Sequence, residues 1–338
     1  MAIHVGLMGF GRIGRNIFRI LYGQDDIQVV AISDIVDPPA LEYLLQFDTV
    51  HGRFPEPVTA KGDTLYVKGR QVKLVQGKEP KDVPWKDLGV DIVIEASARG
   101  RTRASLEDHL KQGAKRVVLT VPAHDPVDAV IVRGVNDEVL NAKHRIISAA
   151  SITTNCAGLM LKILNNAFGV ERAFMTTIHA YTNAQRLADV PHTDLRQCRA
   201  AAENIIPTET HVTEAIGEII PELKGKFAGM AMNVPVPDGS NVDLVTETKQ
   251  PVTVESVNEI FRSAAGSIYK GIVSYMDDPI VSSDVIGDSH SVVFDSLATM
   301  TLGDRMVKTL GWYDNGWGYA HRVVELVQRM SKFEGGAR

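Results

Sequence analysis

The sequence predicts an α/β protein in two domains: a doubly wound parallel sheet, then an α+β domain whose sheet is largely antiparallel. Three observations predict it. The chain has 338 residues, which suits two domains of roughly 150 residues each. Apolar strands alternate with amphipathic helices over the first half, the pattern of a parallel sheet covered by helices. From residue 171 strands follow one another with helices set apart, which suits antiparallel pairing.

The elements follow in order. His4-Val5-Gly6-Leu7 is a short apolar strand running into Gly9-Phe10-Gly11-Arg12-Ile13-Gly14, and Ile13, Ile17, Ile20 and Leu21 then recur at helical spacing. A second strand over 27–32 ends at Ser33-Asp34. Further strands are expected at 90–94, 117–121, 129–132 and 146–147, with an amphipathic helix over 102–112. The second half reads as strands at 172–178, 229–235, 241–246, 292–295 and 299–302, with helices over 210–219 and 253–264. Val323, Val324, Leu326, Val327 and Met330 mark a C-terminal helix over 317–334, expected to pack back on the first domain. No repeat or low-complexity linker separates the halves, so the domains are placed at 1–151 and 152–316.

Composition narrows the function. Lys and Arg number 36 against 41 Asp and Glu, a net charge of -5 spread along the chain. That argues against a nucleic-acid footprint and against a polybasic membrane anchor. No apolar run of about 18 residues is present, so no membrane span is expected. The glycine motif begins at Gly9, which leaves no room for a signal peptide. Cys156 and Cys198 cannot make a disulfide framework and nothing has zinc-site spacing, so a metal-free protein of the reducing cytoplasm is expected.

The glycine turn reads as a dinucleotide site. It follows a strand, opens a helix, and Asp34 lies twenty positions past Gly14 at the end of the second strand, where a carboxylate meets ribose hydroxyls. Gly11 lets the backbone approach a pyrophosphate, and the N–H groups at Arg12-Ile13 supply donors. Asp34 would repel a 2′-phosphate, which favours NAD over NADP.

With that motif in hand, the chain resembles phosphorylating glyceraldehyde-3-phosphate dehydrogenases over essentially its whole length. The likeness includes Phe47-Asp48-Thr49-Val50-His51-Gly52-Arg53-Phe54, Thr153-Thr154-Asn155-Cys156, Ile178-His179-Ala180-Tyr181-Thr182-Asn183, Pro221-Glu222-Leu223-Lys224-Gly225-Lys226 and Trp312-Tyr313-Asp314-Asn315. The resemblance implies a Rossmann domain, a catalytic domain with a long S-shaped loop over about 181–204, and a homotetramer. It also implies cofactor contacts from Gly9, Phe10, Gly11, Arg12, Ile13, Gly14, Asp34, Lys78, Thr120 and Asn315, the last on the nicotinamide carboxamide.

The resemblance breaks at the chemistry. The family's nucleophilic cysteine stands just before Thr-Thr-Asn-Cys, and this chain has Ile152 there. A branched hydrocarbon has no lone pair, so covalent catalysis is excluded at that position. Cys156 lies one helical turn on, about 5–6 Å away, whereas productive attack tolerates displacements nearer 1 Å. Its readings are a substitute nucleophile or a packed thiol on the stripe Cys156, Leu159, Met160, Ile163 and Leu164.

Two arginines implied for phosphate binding are replaced by Gln197 and Asn233, and His211-Val212 follow Thr210 where small residues are usual. Ser151, Thr153, Thr182 and Thr210 match, so polar lining remains while the selecting charge has gone. Smaller departures are Met8, the stretch 96–100, Ala149, Ala184 and Gly316.

His179 has lost its thiolate partner. It reads either as a general base for a hydroxyl whose carbon gives up hydride, or as a vestigial histidine in a relict pocket. Three functions stay open: trace phosphorylating activity, a non-covalent NAD-dependent oxidoreductase on a small hydroxy or oxo compound, and a non-catalytic regulatory or scaffold subunit.

Overall fold

The computed structural model describes residues 2–334. The chain forms two compact units. The first holds the residues up to Ile131, Glu138–Ala150 and those from Ala320; the second holds Val132–Asp137 and Ser151–Tyr319. The last helix therefore begins in the second unit and continues in the first. Among the described residues no helix is long and apolar enough to cross a membrane.

In the first unit, β1 (Ile3–Met8), α1 (Arg12–Tyr22), β2 (Ile27–Ser33) and α2 (Pro38–Gln46) lead into a meander of β3 (Val58–Lys61), β4 (Thr64–Val67) and β5 (Arg70–Val75). Then come β6 (Ile92–Glu95), α3 (Arg103–Lys111), β7 (Arg116–Leu119), β8 (Ala129–Val130) and β9 (Ile146–Ser148). The nine strands form one sheet in the order β3-β4-β5-β2-β1-β6-β7-β9-β8. Pairing is parallel except between β3 and β4 and between β4 and β5. β6 and β7 are buried along their whole length and are apolar apart from Glu95 at the end of one and Arg116 at the start of the other.

The second unit opens with α4 (Ile152–Phe168) and β10 (Val170–Ala180), then β11 (Ile206–Thr208), α5 (Val212–Ile219), β12 (Phe227–Val234) and β13 (Ser240–Thr248). It continues through α6 (Val254–Gly266), β14 (Val273–Met276), β15 (Val292–Leu302) and β16 (Met306–Tyr313) into α7 (Trp317–Ser331). Its sheet has the order β11-β12-β10-β13-β16-β15-β14, parallel only at β10–β12 and β14–β15. α4 packs on β10, β13 and β16 through Cys156, Leu159, Met160 and Leu164, all fully buried.

The expected strands and helices are present with ends shifted by a few residues, and three details differ. The strands expected at 292–295 and 299–302 are one strand, β15, whose pairing with β16 slips between Asp295 and Met300. That irregularity breaks the alternation that reads as two strands. α2, the β3–β5 meander, β11 and β14 carry no expectation from the sequence, because they are short and show no sustained period. The chain excursion 132–137 joins the second unit although the expected boundary lies later.

Candidate functional site

β1 ends at Met8 and α1 begins at Arg12, so Gly9, Phe10 and Gly11 make the turn. Each glycine is there for its own reason. Gly9 has φ +92°, and a Cβ on it would lie 2.6 Å from the Ser97 backbone. A Cβ on Gly14 would lie 2.3 Å from the Gly9 carbonyl oxygen. At Gly11 nothing beyond its chain neighbours lies within 4 Å of the place a Cβ would take, so the fold itself demands no glycine there. Gly11 is also the N-cap of α1 and puts no side chain on the free N–H groups of the first turn, where Arg12 and Ile13 stand half-buried. An exposed, uncapped helix start under an open glycine is the cradle a pyrophosphate needs.

Asp34 closes the turn from the side. Its Oδ2 accepts the Phe10 N–H at 2.7 Å and its Oδ1 accepts the Val36 N–H at 3.1 Å. Each oxygen keeps lone pairs for a ribose diol. The Phe10 ring is buried and meets Phe18 edge-on, which holds the turn against α1.

A buried relay supports the neighbouring loop, and sequence reasoning missed it. The Trp85 Nε1–H donates to His109 Nδ1 at 2.9 Å, so the ring proton sits on Nε2, which donates to Glu95 Oε2 at 3.0 Å. Glu95 Oε1 accepts the Ser97 N–H at 2.8 Å and its hydroxyl at 2.5 Å. This anchors the stretch 96–100, in which Ala98 adopts the left-handed φ of 59°. Ser97, Arg99, Gly100 and Lys78 line a cavity of about 530 Å³. Thr120 is buried, and its hydroxyl donates to the Glu95 carbonyl at 3.1 Å. The relay's three side chains come from separate segments, so only tertiary packing brings them together.

In the second unit, Ser151 caps α4 by accepting the Thr154 N–H at 3.0 Å, and Ile152 takes the first helical position, half-buried. The Thr153 and Thr177 hydroxyls lie 2.9 and 3.1 Å from the buried Tyr313 hydroxyl. Burial pushes the Tyr313 phenol far above its usual range. Cys156 is wholly buried, with its Sγ 3.9 Å from Met160 Sδ and 3.7 Å from the Gly311 carbonyl. Burial likewise pushes its thiol far up, opposite to what a nucleophile needs.

His179 is held in one tautomer. Its Nδ1 lies 2.6 Å from the Ala180 carbonyl, which can only accept, so the neutral ring carries its proton on Nδ1. Nε2 faces the Asn315 amide nitrogen at 3.3 Å. Asn315 is itself seated: Oδ1 accepts the Ser240 hydroxyl at 2.8 Å, and the backbone N–H donates to Asp238 Oδ1 at 2.7 Å. In neutral His179, Nε2 is thus a basic lone pair at the end of β10.

Two of the expected anion-site positions, Thr182 and Gln197, are linked through Gln185 by neutral hydrogen bonds. Thr182 donates its N–H at 2.8 Å and its hydroxyl at 3.2 Å to Gln185 Oε1. Gln185 Nε2 donates to Gln197 Oε1 at 3.1 Å, and Gln197 Nε2 donates to the Thr208 hydroxyl at 3.0 Å. Gln185 and Thr208 were not among the expected site residues, because an amide in a loop carries no motif. Asn233 pairs in register with His179 across β12 and β10, so both side chains share one face. Thr210 Oγ1 accepts the Val212 N–H at 3.4 Å, and His211 is exposed at the start of α5; neither joins that chain of amides.

The chain is similar to known proteins over almost all its length. Residues 3–103 match the glyceraldehyde 3-phosphate dehydrogenase NAD binding domain, and residues 151–315 match the C-terminal domain of the same family. It is 50% identical to a glyceraldehyde-3-phosphate dehydrogenase 2 of Streptomyces avermitilis, over 96% of this chain and 98% of that protein. It is 47% identical to the glyceraldehyde-3-phosphate dehydrogenase of Geobacillus stearothermophilus, over 96% and 97%, and 46% identical to glyceraldehyde-3-phosphate dehydrogenase 2 of Bacillus subtilis, over 98% and 97%. With an NAD-type glycine turn in one unit and the matching C-terminal domain in the other, the chain belongs to the glyceraldehyde-3-phosphate dehydrogenase family, and NAD is its cofactor.

Proposed function

We propose that this family member binds NAD but carries out the phosphorylating, thiol-dependent reaction at most as a trace. The observation that carries this is Ile152 at the first position of α4, with the nearest thiol in that helix, Cys156, buried and protonated. Losing a nucleophile cost about 10⁶ in kcat in the protease series that serves as a reference. The test combines NAD calorimetry with an assay on glyceraldehyde 3-phosphate, NAD and inorganic phosphate, and intact-mass spectra taken during turnover. NAD binding without an acyl adduct on either cysteine is expected; a covalent adduct that forms and decays at the turnover rate would falsify the reading.

One observation favours a second activity at the same place. With the His179 proton on Nδ1, Nε2 accepts the Asn315 amide, and in this reading a substrate hydroxyl takes that amide's place and gives Nε2 its proton. When bound, NAD accepts hydride from carbon, so an alcohol is oxidised to a carbonyl with no covalent intermediate. In this reading Asn315 positions the His179 ring. Reduced cofactor appearing with alcohols, and its loss in His179→Phe, is the expected result. NAD binding with silence across alcohols and aldehydes favours the regulatory or scaffold reading instead.

The protein is also proposed to be a homo-oligomer, a tetramer by family resemblance, and cytoplasmic. Leu187, Leu195 and Ile205 of the second unit stand 85%, 80% and 65% exposed, apolar surface that suits burial against copies. Two unpaired cysteines suit a reducing compartment. Sedimentation at micromolar concentration tests the assembly.

A further inference from the structure

The sheet of the second unit places its edge strands so that one chain of hydrogen bonds crosses over one residue. β12 lies between β10 and β11. Thr182 follows the end of β10, and Thr208 is in β11. The links Thr182–Gln185–Gln197–Thr208 therefore span β12. β12 carries Asn233, in register with Ile206 on one side and His179 on the other. Thr208 and Thr177 stand two positions along their strands from Ile206 and His179, so they share that face.

The chemistry of this wall is uniform. Gln197 is 7% exposed, and both ends of its amide are tied to neutral groups. Asn233 is also 7% exposed, and among the described residues nothing hydrogen-bonds its side chain. Its amide atoms are not among the polar atoms sealed in the core without a partner, so they face the space a ligand would enter. Here Asn233 sits in register with His179, on a sheet crossed by a run of amides and hydroxyls. None of the residues named is cationic.

We infer that Asn233 is the ligand-contacting amide of a subsite for a short uncharged polyol or hydroxy-carbonyl compound, and that the Gln185–Gln197 chain excludes phosphorylated ones. This deepens the second reading of the function and rests on it. The Asn233 amide offers two donors and an acceptor, which matches a hydroxyl–carbonyl pair. A phosphate would find neutral donors such as the Asn233 amide, but among the residues named no guanidinium or ammonium to balance its charge. A site built from buried neutral donors rejects a dianion because the dianion's lost hydration is not replaced.

The test uses the NAD-loaded full-length protein and two probes that differ only in the phosphate, glycerol and glycerol 3-phosphate, titrated by calorimetry or saturation-transfer NMR. Saturable glycerol binding at least tenfold tighter than glycerol 3-phosphate is expected. Asn233→Leu should weaken glycerol at least tenfold. Gln185→Leu should narrow the gap between the two probes by opening the wall. NAD affinity and melting temperature, measured on each variant, separate these effects from misfolding. Glycerol 3-phosphate binding as well as glycerol, no saturable glycerol binding, or an unchanged affinity in a folded Asn233→Leu variant would each overturn the inference. The titration reads binding alone, so thiol-dependent turnover, which would sink the proposed function, leaves a different trace.

Discussion

The glycine turn of the first unit and the proposed site at the His179 strand end of the second are built from different materials. The turn is made of backbone. Its conformation depends on three missing side chains, and changing any of them alters the chain path or the open space above Gly11. The strand end is made of side chains on a regular sheet, so Ile152, Gln197 and Asn233 stand there without disturbing β10, β12 or α4. A site made of backbone resists divergence where, as at Gly9 and Gly14, its residues are also needed for the chain path. A site made of side chains can exchange its chemistry while the fold stays whole.

The comparison breaks most visibly if the second site is refilled. Ile152→Cys alone should give only trace phosphorylating turnover, since the wall stays neutral. Adding Gln197→Arg and Asn233→Arg should raise kcat/KM by about two to four orders of magnitude, at about 1.5–3 kcal/mol for each hydrogen bond to a charged group. Equal turnover in the single and triple variants would show that the amide wall has no bearing on anions.

The first site is sharpened by two alanines. Gly11→Ala should weaken NAD at least tenfold while leaving stability within about 0.5 kcal/mol, because its Cβ enters only the open space. Gly9→Ala should instead destabilise the fold by about 1–3 kcal/mol or more, through its positive φ and the collision with Ser97. Calorimetry and denaturant melts read the two effects apart; wild-type NAD affinity in Gly11→Ala would remove the cradle assignment.

Next comes the relay under the cofactor loop. His109→Phe strands the Trp85 N–H and one Glu95 oxygen in the core, a loss of about 1–3 kcal/mol for each unsatisfied group. NAD affinity should fall with it, since Ser97 and the cavity beside Lys78 hang from Glu95.

Smallest is the effect of the buried thiol. Native-state iodoacetamide should label Cys198 and spare Cys156 even at pH 9, because burial keeps the Cys156 thiol protonated. Its folded pKa lies above the unfolded one, so its contribution to stability is complete below about pH 8.5 and declines as pH rises past that value. Cys156→Ala should flatten that alkaline slope and cost about 1 kcal/mol in lost packing. Rapid labelling of native Cys156 would return it to the list of nucleophiles.

Much of this was legible in the residues. Gly9, Gly11, Gly14 and Asp34 announce a dinucleotide turn because backbone geometry restricts which residues tolerate it. The loss at Ile152 is equally plain, since no fold can give a hydrocarbon a nucleophilic atom. The partners of the replaced residues were not legible. Nothing in the order of residues says that Gln185 reaches Gln197, or that Trp85 and Glu95 meet across His109.

The sequence by itself determined the fold class, the cofactor and the hydrocarbon side chain at position 152, because each depends on what a residue type can or cannot do anywhere. Tertiary structure decided how deeply Cys156 is buried, that Asn315 faces His179, and that Gln197 is tied to Gln185 and Thr208. Those are properties of distance, and distance between remote segments exists only once the strands are paired and the core is closed.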